Sequence, residues 1–306
     1  MKISIVIPSF NQGKFIQRTI NSTLDQGYPD LELIVMDGGS TDETLSVLRT
    51  YGTRILWQSG LDRGQTQAVN KGWKIAAGQI LGWVNSDDIL LPGALHTAAA
   101  CFQAHPEARW LYGTCQYIDS DDQIIGEYPV KPYDYRSLLR NVENYIPQPA
   151  VFIRRSILDE VGLLNEDLHY VMDLEYWLRI GLHYPAVYLD QPMAALRLHQ
   201  EAKSIASFGK FSSELTAIIK ALFERPDLPN NLKELKRDSL ARANLLAADM
   251  NFWSGNLKLS RQFALQSLKL QPLRLRRLYL YLILGKIGVK IAKGHHSNPY
   301  TMGLWK

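Results

Sequence analysis

Cysteine is nearly absent: Cys101 and Cys115 are the only two in 306 residues. Two thiols cannot build a disulfide framework or a cysteine metal cluster, so a reducing compartment and two ordinary buried thiols are expected. No Gly-rich phosphate loop follows the first apolar stretch and no Walker sequence occurs, which excludes the usual dinucleotide and P-loop readings. Long hydrophobic runs are missing too. Met1-Lys2-Ile3-Ser4-Ile5-Val6-Ile7 is stopped by Pro8, too short for a signal peptide, and predicts a cytosolic N-terminus. Acidic residues vanish at the other end. From Leu257 to Lys306 there are ten Lys and Arg and no Asp or Glu, so the preceding 256 residues hold 24 basic against 30 acidic side chains. The net charge of +4 therefore belongs to the tail.

What is present is organised around Gly78-Gln79-Ile80-Leu81-Gly82-Trp83-Val84-Asn85-Ser86-Asp87-Asp88. An apolar run that breaks into polar residues ending in paired acids reads as a buried strand delivering two carboxylates to its C-terminal tip. Two adjacent acids repel, and their simplest shared partner is a hard divalent cation such as Mg2+ or Mn2+. An Asp-rich solvated turn is the competing reading of this stretch alone.

The rest of the first half alternates strand and helix. Ile3–Ile7 is a strand, Phe15, Ile16, Ile20 and Leu24 fall at helical spacing, and Leu31–Met36 is a second strand ending at Asp37-Gly38-Gly39-Ser40. Ser40 and Glu43 have the spacing of a capping box for the next helix. Arg54–Trp57 is a weaker strand, and Gln65–Ala77 a helix closed by Gly78. This order predicts an α/β fold, a Rossmann-like, mostly parallel sheet with helices on both faces, and a cleft where Pro8–Asn11, Asp37–Ser40 and Asn85–Asp88 converge at one edge. Trp110–Ile118 and Gln123–Tyr128 read as a strand pair. Its turn, Asp119-Ser120-Asp121-Asp122, lacks a buried lead-in and is expected to be solvated turn chemistry.

Ile5-Val6-Ile7-Pro8-Ser9-Phe10-Asn11, Val35-Met36-Asp37-Gly38-Gly39-Ser40-Thr41-Asp42, Asp62-Arg63-Gly64 with Asn70-Lys71-Gly72, and Asn85-Ser86-Asp87-Asp88 together resemble glycosyltransferase family 2, over about residues 1–200. The resemblance implies an A-type glycosyltransferase fold, inversion of the anomeric centre, a divalent metal (Mn2+ or Mg2+) and a nucleotide-sugar donor, most simply a UDP-sugar. By it, Pro8, Ser9, Phe10 and Asp37 would hold the nucleoside, Asp87 the ribose side, Asp88 the metal, and Arg63 would lie near the base and diphosphate. Asp173 matches the family's catalytic base. Met172 stands where the family has a Glu, a departure that removes one usual acceptor-side contact. His199, in Arg197-Leu198-His199, resembles the position where a His reaches the metal or diphosphate. On the residues alone, Asp173 could be an N-cap and His199 a structural imidazole.

Domain boundaries are expected at 1–205 for the transferase domain and 206–306 for a helical extension. The stretch 240–272 resembles one tetratricopeptide-like helix pair. Residues 273–293 mix Leu, Tyr and Ile with Lys and Arg, and Lys286 and Lys290 interrupt any span, so an interfacial basic helix at the inner face of a membrane is expected, with a final core helix bearing a solvated basic face as the alternative. Partners implied are the donor and a glycan or lipid-linked acceptor. Nucleic acid is not expected, because only Tyr279 and Tyr281 interleave the basic residues. The rival functions are a catalytically silent binding module and a nucleotidyltransferase, the latter lacking a triphosphate loop.

Overall fold

The computed structural model describes residues 1–199 and 208–272. These fall into two compact units, 1–133 with 145–199, and 134–144 with the later helices. In the first unit, strands β1 (Ile3–Ser9), β2 (Leu31–Asp37), β3 (Leu56–Ser59), β4 (Ile80–Trp83), β5 (Ile89–Leu90), β6 (Trp110–Ile118), β7 (Ile124–Glu127), β8 (Val151–Arg154) and β9 (Val187–Arg197) form one sheet. Its order is β3-β2-β1-β4-β8-β6-β9-β5, with β7 paired to β6.

The sheet has two halves of different character. From β3 to β4 every pairing is parallel, as the strand and helix alternation predicts. Beyond β4, the β4–β8, β6–β8, β6–β7 and β5–β9 pairings are antiparallel and only β6–β9 is parallel. Helices α1 (Gly13–Leu24), α2 (Thr44–Arg49), α3 (Gln65–Ile75) and α4 (Ala94–Ala104) follow β1, β2, β3 and β5 in the chain. One core joins Ile3, Ile5 and Ile7 with Ile16, Ile20, Leu33, Val35 and Leu95. Alternate residues of β1 point the other way: a Cβ on Gly72 would stand 2.5 Å from Val6 Cγ1, so that glycine lets α3 lie directly on β1. A strand rises about 3.3 Å per residue and inverts its side chain at each step, so this alternation fixes the faces.

Two local expectations are corrected. Ser40 caps nothing, because its hydroxyl is held by Asp37, and α2 begins after Glu43 with the Thr44 amide donating to Asp42 Oδ1 at 3.0 Å. Gly78 does not close α3 in a left-handed turn. It is required because a Cβ there would stand 2.5 Å from Ser4 Oγ and 2.6 Å from Ser4 N. Cys101 and Cys115 are free and buried, as expected.

The second unit is helical. The sequence places 134–144 in the first domain, yet α5 (Tyr135–Asn141) clusters with the later helices: Arg140 pairs with Asp238 at 2.8 Å and Arg136 with Glu234 at 2.7 Å. The boundary expected at 205/206 lies among residues outside the described ones. The helices Lys236–Trp253 and Leu257–Leu270 form the expected pair, antiparallel and close, with Ser260 Oγ donating to Ala248 O and Ser267 Oγ to Ala241 O. Asn256 caps the second helix by accepting from the Leu259 amide. The helix Phe211–Phe223 also packs on Lys236–Trp253, which answers how one pair is covered. Among the described residues no helix is long and apolar enough to cross a membrane. The expected interfacial helix at 273–293 lies outside them.

Candidate active site

The parallel half brings the tips of β1, β2 and β4 to one edge. Ser9 is in register with Asp37, and the Val84 amide continues the ladder to Val6 O at 3.0 Å. At the β1 tip, Pro8 and Ser9 are buried and Phe10 is 59% exposed. Ser9 Oγ is buried without a hydrogen-bond partner. Asp37 is buried and accepts from four donors: the Gly39 and Ser40 amides at 3.0 and 2.9 Å, Ser40 Oγ at 2.5 Å and Ser59 Oγ at 2.6 Å. Ser40 Oγ in turn accepts from the Asn11 amide. Asp37 thus ties three strand-end loops together, and most of its acceptor capacity is spent within the turn.

The paired acids at the β4 tip point in different directions. A turn closed by the Asp88 amide on Asn85 O, 3.0 Å, sends the Asp88 side chain inward. There, 2% exposed, Asp88 Oδ1 accepts from the Arg197 amide at 2.9 Å and Oδ2 from the Asn85 side chain at 3.0 Å. Burial pushes the Asp88 carboxyl well above the usual carboxylate range, the neighbouring Asp87 charge adds to that, and the Arg197 and Asn85 hydrogen bonds act against it. Asp87 instead reaches His199: Oδ2 to Nε2 is 3.0 Å. Asp88 is thus engaged inside the fold by Arg197 and Asn85, whereas Asp87 faces His199.

The surroundings hold that pair still. Thr19 Oγ1, on α1, lies 2.9 Å from Ser86 O and 2.7 Å from Asp88 O. The Phe15 ring, one turn earlier, has the His199 ring at 4.8 Å and the Arg197 guanidinium at 5.0 Å. Arg197 Nε donates to Asp87 O at 2.7 Å. Among the described residues no cluster of three or more His, Cys, Asp or Glu could hold a metal ion. One carboxylate and one imidazole fit a cation that takes its remaining ligands from substrate phosphates, and the imidazole favours Mn2+ over Mg2+.

After the short helix α6 (Ile157–Glu160), Asp173 sits in the first turn of α7 (Met172–Gly181). Val171 occupies the N-cap position, so Asp173 is not the cap. Leu174, Trp177 and Leu178 are buried on one face, and the Trp177 ring stacks on Trp83 at 5.6 Å. Because Trp83 ends β4, that stack sets α7 beside the strand that carries Asp87. The loop leading into α7 is pinned by the polar face of α3. Thr66 Oγ1 donates to Leu168 O at 2.6 Å, and Asn70 bonds both Leu164 O and the Leu164 amide, at 2.9 and 3.1 Å. Gln65, one residue before Thr66, donates to Asn85 at 2.5 Å, so the first turn of α3 joins the β4 tip to this loop. Arg179 fastens the loop's beginning through Val161 O and Leu163 O.

Arg63 is exposed and paired with Glu166, which also accepts from Asn70 and Gln67. Those hydrogen bonds, Asn70 first, then Gln67 and the Arg63 partner, hold the Glu166 carboxyl down at about 2. Arg63 is thus engaged with the loop ahead of Asp173. Glu166, Thr19 and Arg197 were missed as site-organising residues. Only the Arg197-Leu198-His199 string gave any signal of them.

The sequence pattern of Glycosyl transferase family 2 matches residues 4–162, about half of the chain. This chain belongs to glycosyl transferase family 2. It is 32% identical over 206 residues to chondroitin synthase of Escherichia coli, a match covering 66% of this chain and 30% of the relative. Across the similar curated relatives, the family 2 chain spans from 30% to 66% of their length. Its fold is that of the Staphylococcus aureus TarS fragment 1–349 in complex with UDP-GlcNAc, with TM-score 0.69, 17% identity and 97% and 93% of the two chains covered. A mannosyltransferase from Pyrobaculum calidifontis, in complex with GDP-Man and Mn2+, aligns with TM-score 0.60 and 18% identity over 95% and 88%.

Proposed function

We propose that the chain transfers a sugar, with inversion, from a nucleotide-sugar donor to a hydroxyl of a glycan or lipid-linked glycan acceptor. The observation that carries this reading is the Asp87–His199 pair just past the C-terminal end of β4, with the helix that carries Asp173 stacked through Trp177 on that strand's last residue, in a family 2 chain. The nucleotide sugars bound by the two solved structures, and the Mn2+ of one, support a nucleotide-sugar donor and a divalent cation. A UDP-sugar is the donor we favour.

Asp87 and His199 would hold the cation, which supplies neutralisation of charge developing on the departing diphosphate. Asp173 takes the proton of the acceptor hydroxyl as that oxygen attacks the anomeric carbon on the face opposite the diphosphate, which inverts the centre. Its place in the first turn of a helix puts its negative charge where a helix N-terminus favours one. Phe10, exposed at the β1 tip, offers an aromatic face to the base, with Pro8, Ser9 and Asp37 forming the floor beneath it. The basic segment 273–293 would hold the enzyme at an anionic lipid surface, where lipid-linked acceptors lie.

The test is donor turnover across UDP-, GDP- and dTDP-sugars with Mn2+, in the natural chain and in Asp173→Asn. Asn keeps the size but accepts no proton, so transfer should fall by about 100- to 10,000-fold while donor affinity stays near normal. Full turnover in Asp173→Asn would remove it as the base. No donor binding at all would overturn the reading.

A further inference from the structure

The acidic turn between β6 and β7 is exposed at Asp121 and Asp122 and closed by Asp119 Oδ1, as its sequence suggests, and it also meets a buried guanidinium. Arg197 is completely buried as a side chain, and its Nη2 lies 2.5 Å from Asp122 Oδ1, while Nη1 donates to Asp119 O at 2.6 Å. Asp122 is exposed and also meets Arg18 Nη1 at 3.2 Å, which donates to Ser120 O as well. Arg197 faces the other way too. Its Nε holds Asp87 O and its amide holds Asp88 Oδ1. One buried guanidinium therefore spans from the hairpin turn to the segment carrying the cation pair.

We propose that Asp122 is a positioning residue for the cation site: it neutralises Arg197 from the far side, so that the guanidinium neither repels a divalent cation nor captures the Asp87 carboxylate. This rests on the reading of Asp87 and His199 as the cation pair. The electrostatics follow from burial. A buried cation without its counter-charge seeks the nearest carboxylate, and the Asp87 backbone is already within hydrogen-bond reach of Arg197. With Asp122 in place, the Arg197 charge is met by the turn. Asp87 Oδ2 is then left to face His199.

Two roles for Asp122 make opposite predictions, because its φ is +66. A residue needed only for the left-handed turn is well replaced by Asn and badly by Glu, since short polar side chains tolerate that region. A residue needed for its charge shows the reverse order. The probe is Mn2+ itself, titrated onto the full chain with UDP and followed by the Mn2+ electron paramagnetic resonance signal. Thermal melting and UDP binding without metal are measured alongside.

Asp122→Asn should raise half-saturating Mn2+ by about 10- to 100-fold, the usual effect of losing a group that orients metal ligands, while metal-free UDP binding stays unchanged. Asp122→Glu should recover most of that loss even where its melting temperature falls below that of Asp122→Asn. Arg18→Met, which leaves the Arg197 pair intact, should titrate as the natural chain does. Equal Mn2+ affinity in the natural chain and Asp122→Asn would overturn the proposal and spare the cation site. Loss of affinity in Asp122→Glu with none in Asp122→Asn would assign Asp122 to turn conformation. A natural chain that takes up no Mn2+ with UDP would overturn the cation reading itself, and this proposal with it.

Discussion

Asp87 and Asp88 are adjacent in sequence and opposite in fate, and substitution should separate them. Asp87→Ala removes a carboxylate that supports only His199, so Mn2+ uptake should be lost while denaturant unfolding is near that of the natural chain. Asp88→Ala strips the acceptor from the Arg197 amide and the Asn85 side chain inside the fold, which should cost roughly 1–3 kcal/mol of stability in the same melts. The reverse pattern would give the cation to Asp88, as the sequence-based reading has it. That acids stand at this strand tip is legible in the run from Gly78 to Asp88. Which one faces the cleft is not, because Arg197 and Thr19, which grip the segment, come from distant parts of the chain. The same holds for Ser40, whose spacing to Glu43 suggests a cap until Asp37 claims its hydroxyl.

At the scale of elements, the first four strands were readable because each is a local apolar run with a helix behind it. In the antiparallel half the β6–β7 pair was readable as two runs about a turn, but its place in the sheet was not. β5 has only two residues, and β8 and β9 find partners far away in sequence, so no local period announces those pairings. The loop before α7 belongs to this second kind, since its order depends on Asn70, Gln67 and Arg63 meeting Glu166. That dependence gives it a pH signature. Glu166 has a folded pKa near 2 against an ordinary 4.5, so its contribution to stability is complete above about pH 4.5 and is lost as pH falls towards 2. Hydrogen exchange across 163–171 should therefore accelerate in that acid window in the natural chain. Glu166→Gln should show fast exchange already at neutral pH, with a flatter dependence; identical profiles would mean the clamp lies elsewhere.

At the scale of the whole molecule, charge separates the acid-free tail from the rest. If 273–293 meets a lipid surface, each Lys or Arg near it contributes about 1 kcal/mol of attraction to anionic lipid, and salt screens this. The full chain should co-sediment with anionic vesicles and not with neutral ones at low salt, and truncation after Pro272 should abolish this. Equal partitioning with and without the tail would assign it to packing. The helical extension was legible as helices, and its 240–272 pair as a pair. The recruitment of α5 was not, because nothing local in 134–144 distinguishes it from a surface helix of the first unit.

That recruitment sets the order of events on the ribosome. Arg140 is synthesised 98 residues before Asp238, its partner. At about 5–20 residues per second, α5 therefore waits roughly 5–20 seconds for the helices that cover it. During that interval Leu138 and Leu139, completely buried in the finished protein, lack whatever cover the Lys236–Trp253 helix gives α5. A nascent chain stalled between these points should bind holdase chaperones through α5, and a gene cut after His199 makes the wait permanent. Light scattering on that shortened product should show aggregation, and replacing Leu138 and Leu139 by polar residues should relieve it. The second unit is sewn through the first during translation, so it cannot be removed from the end of the gene without leaving α5 bare.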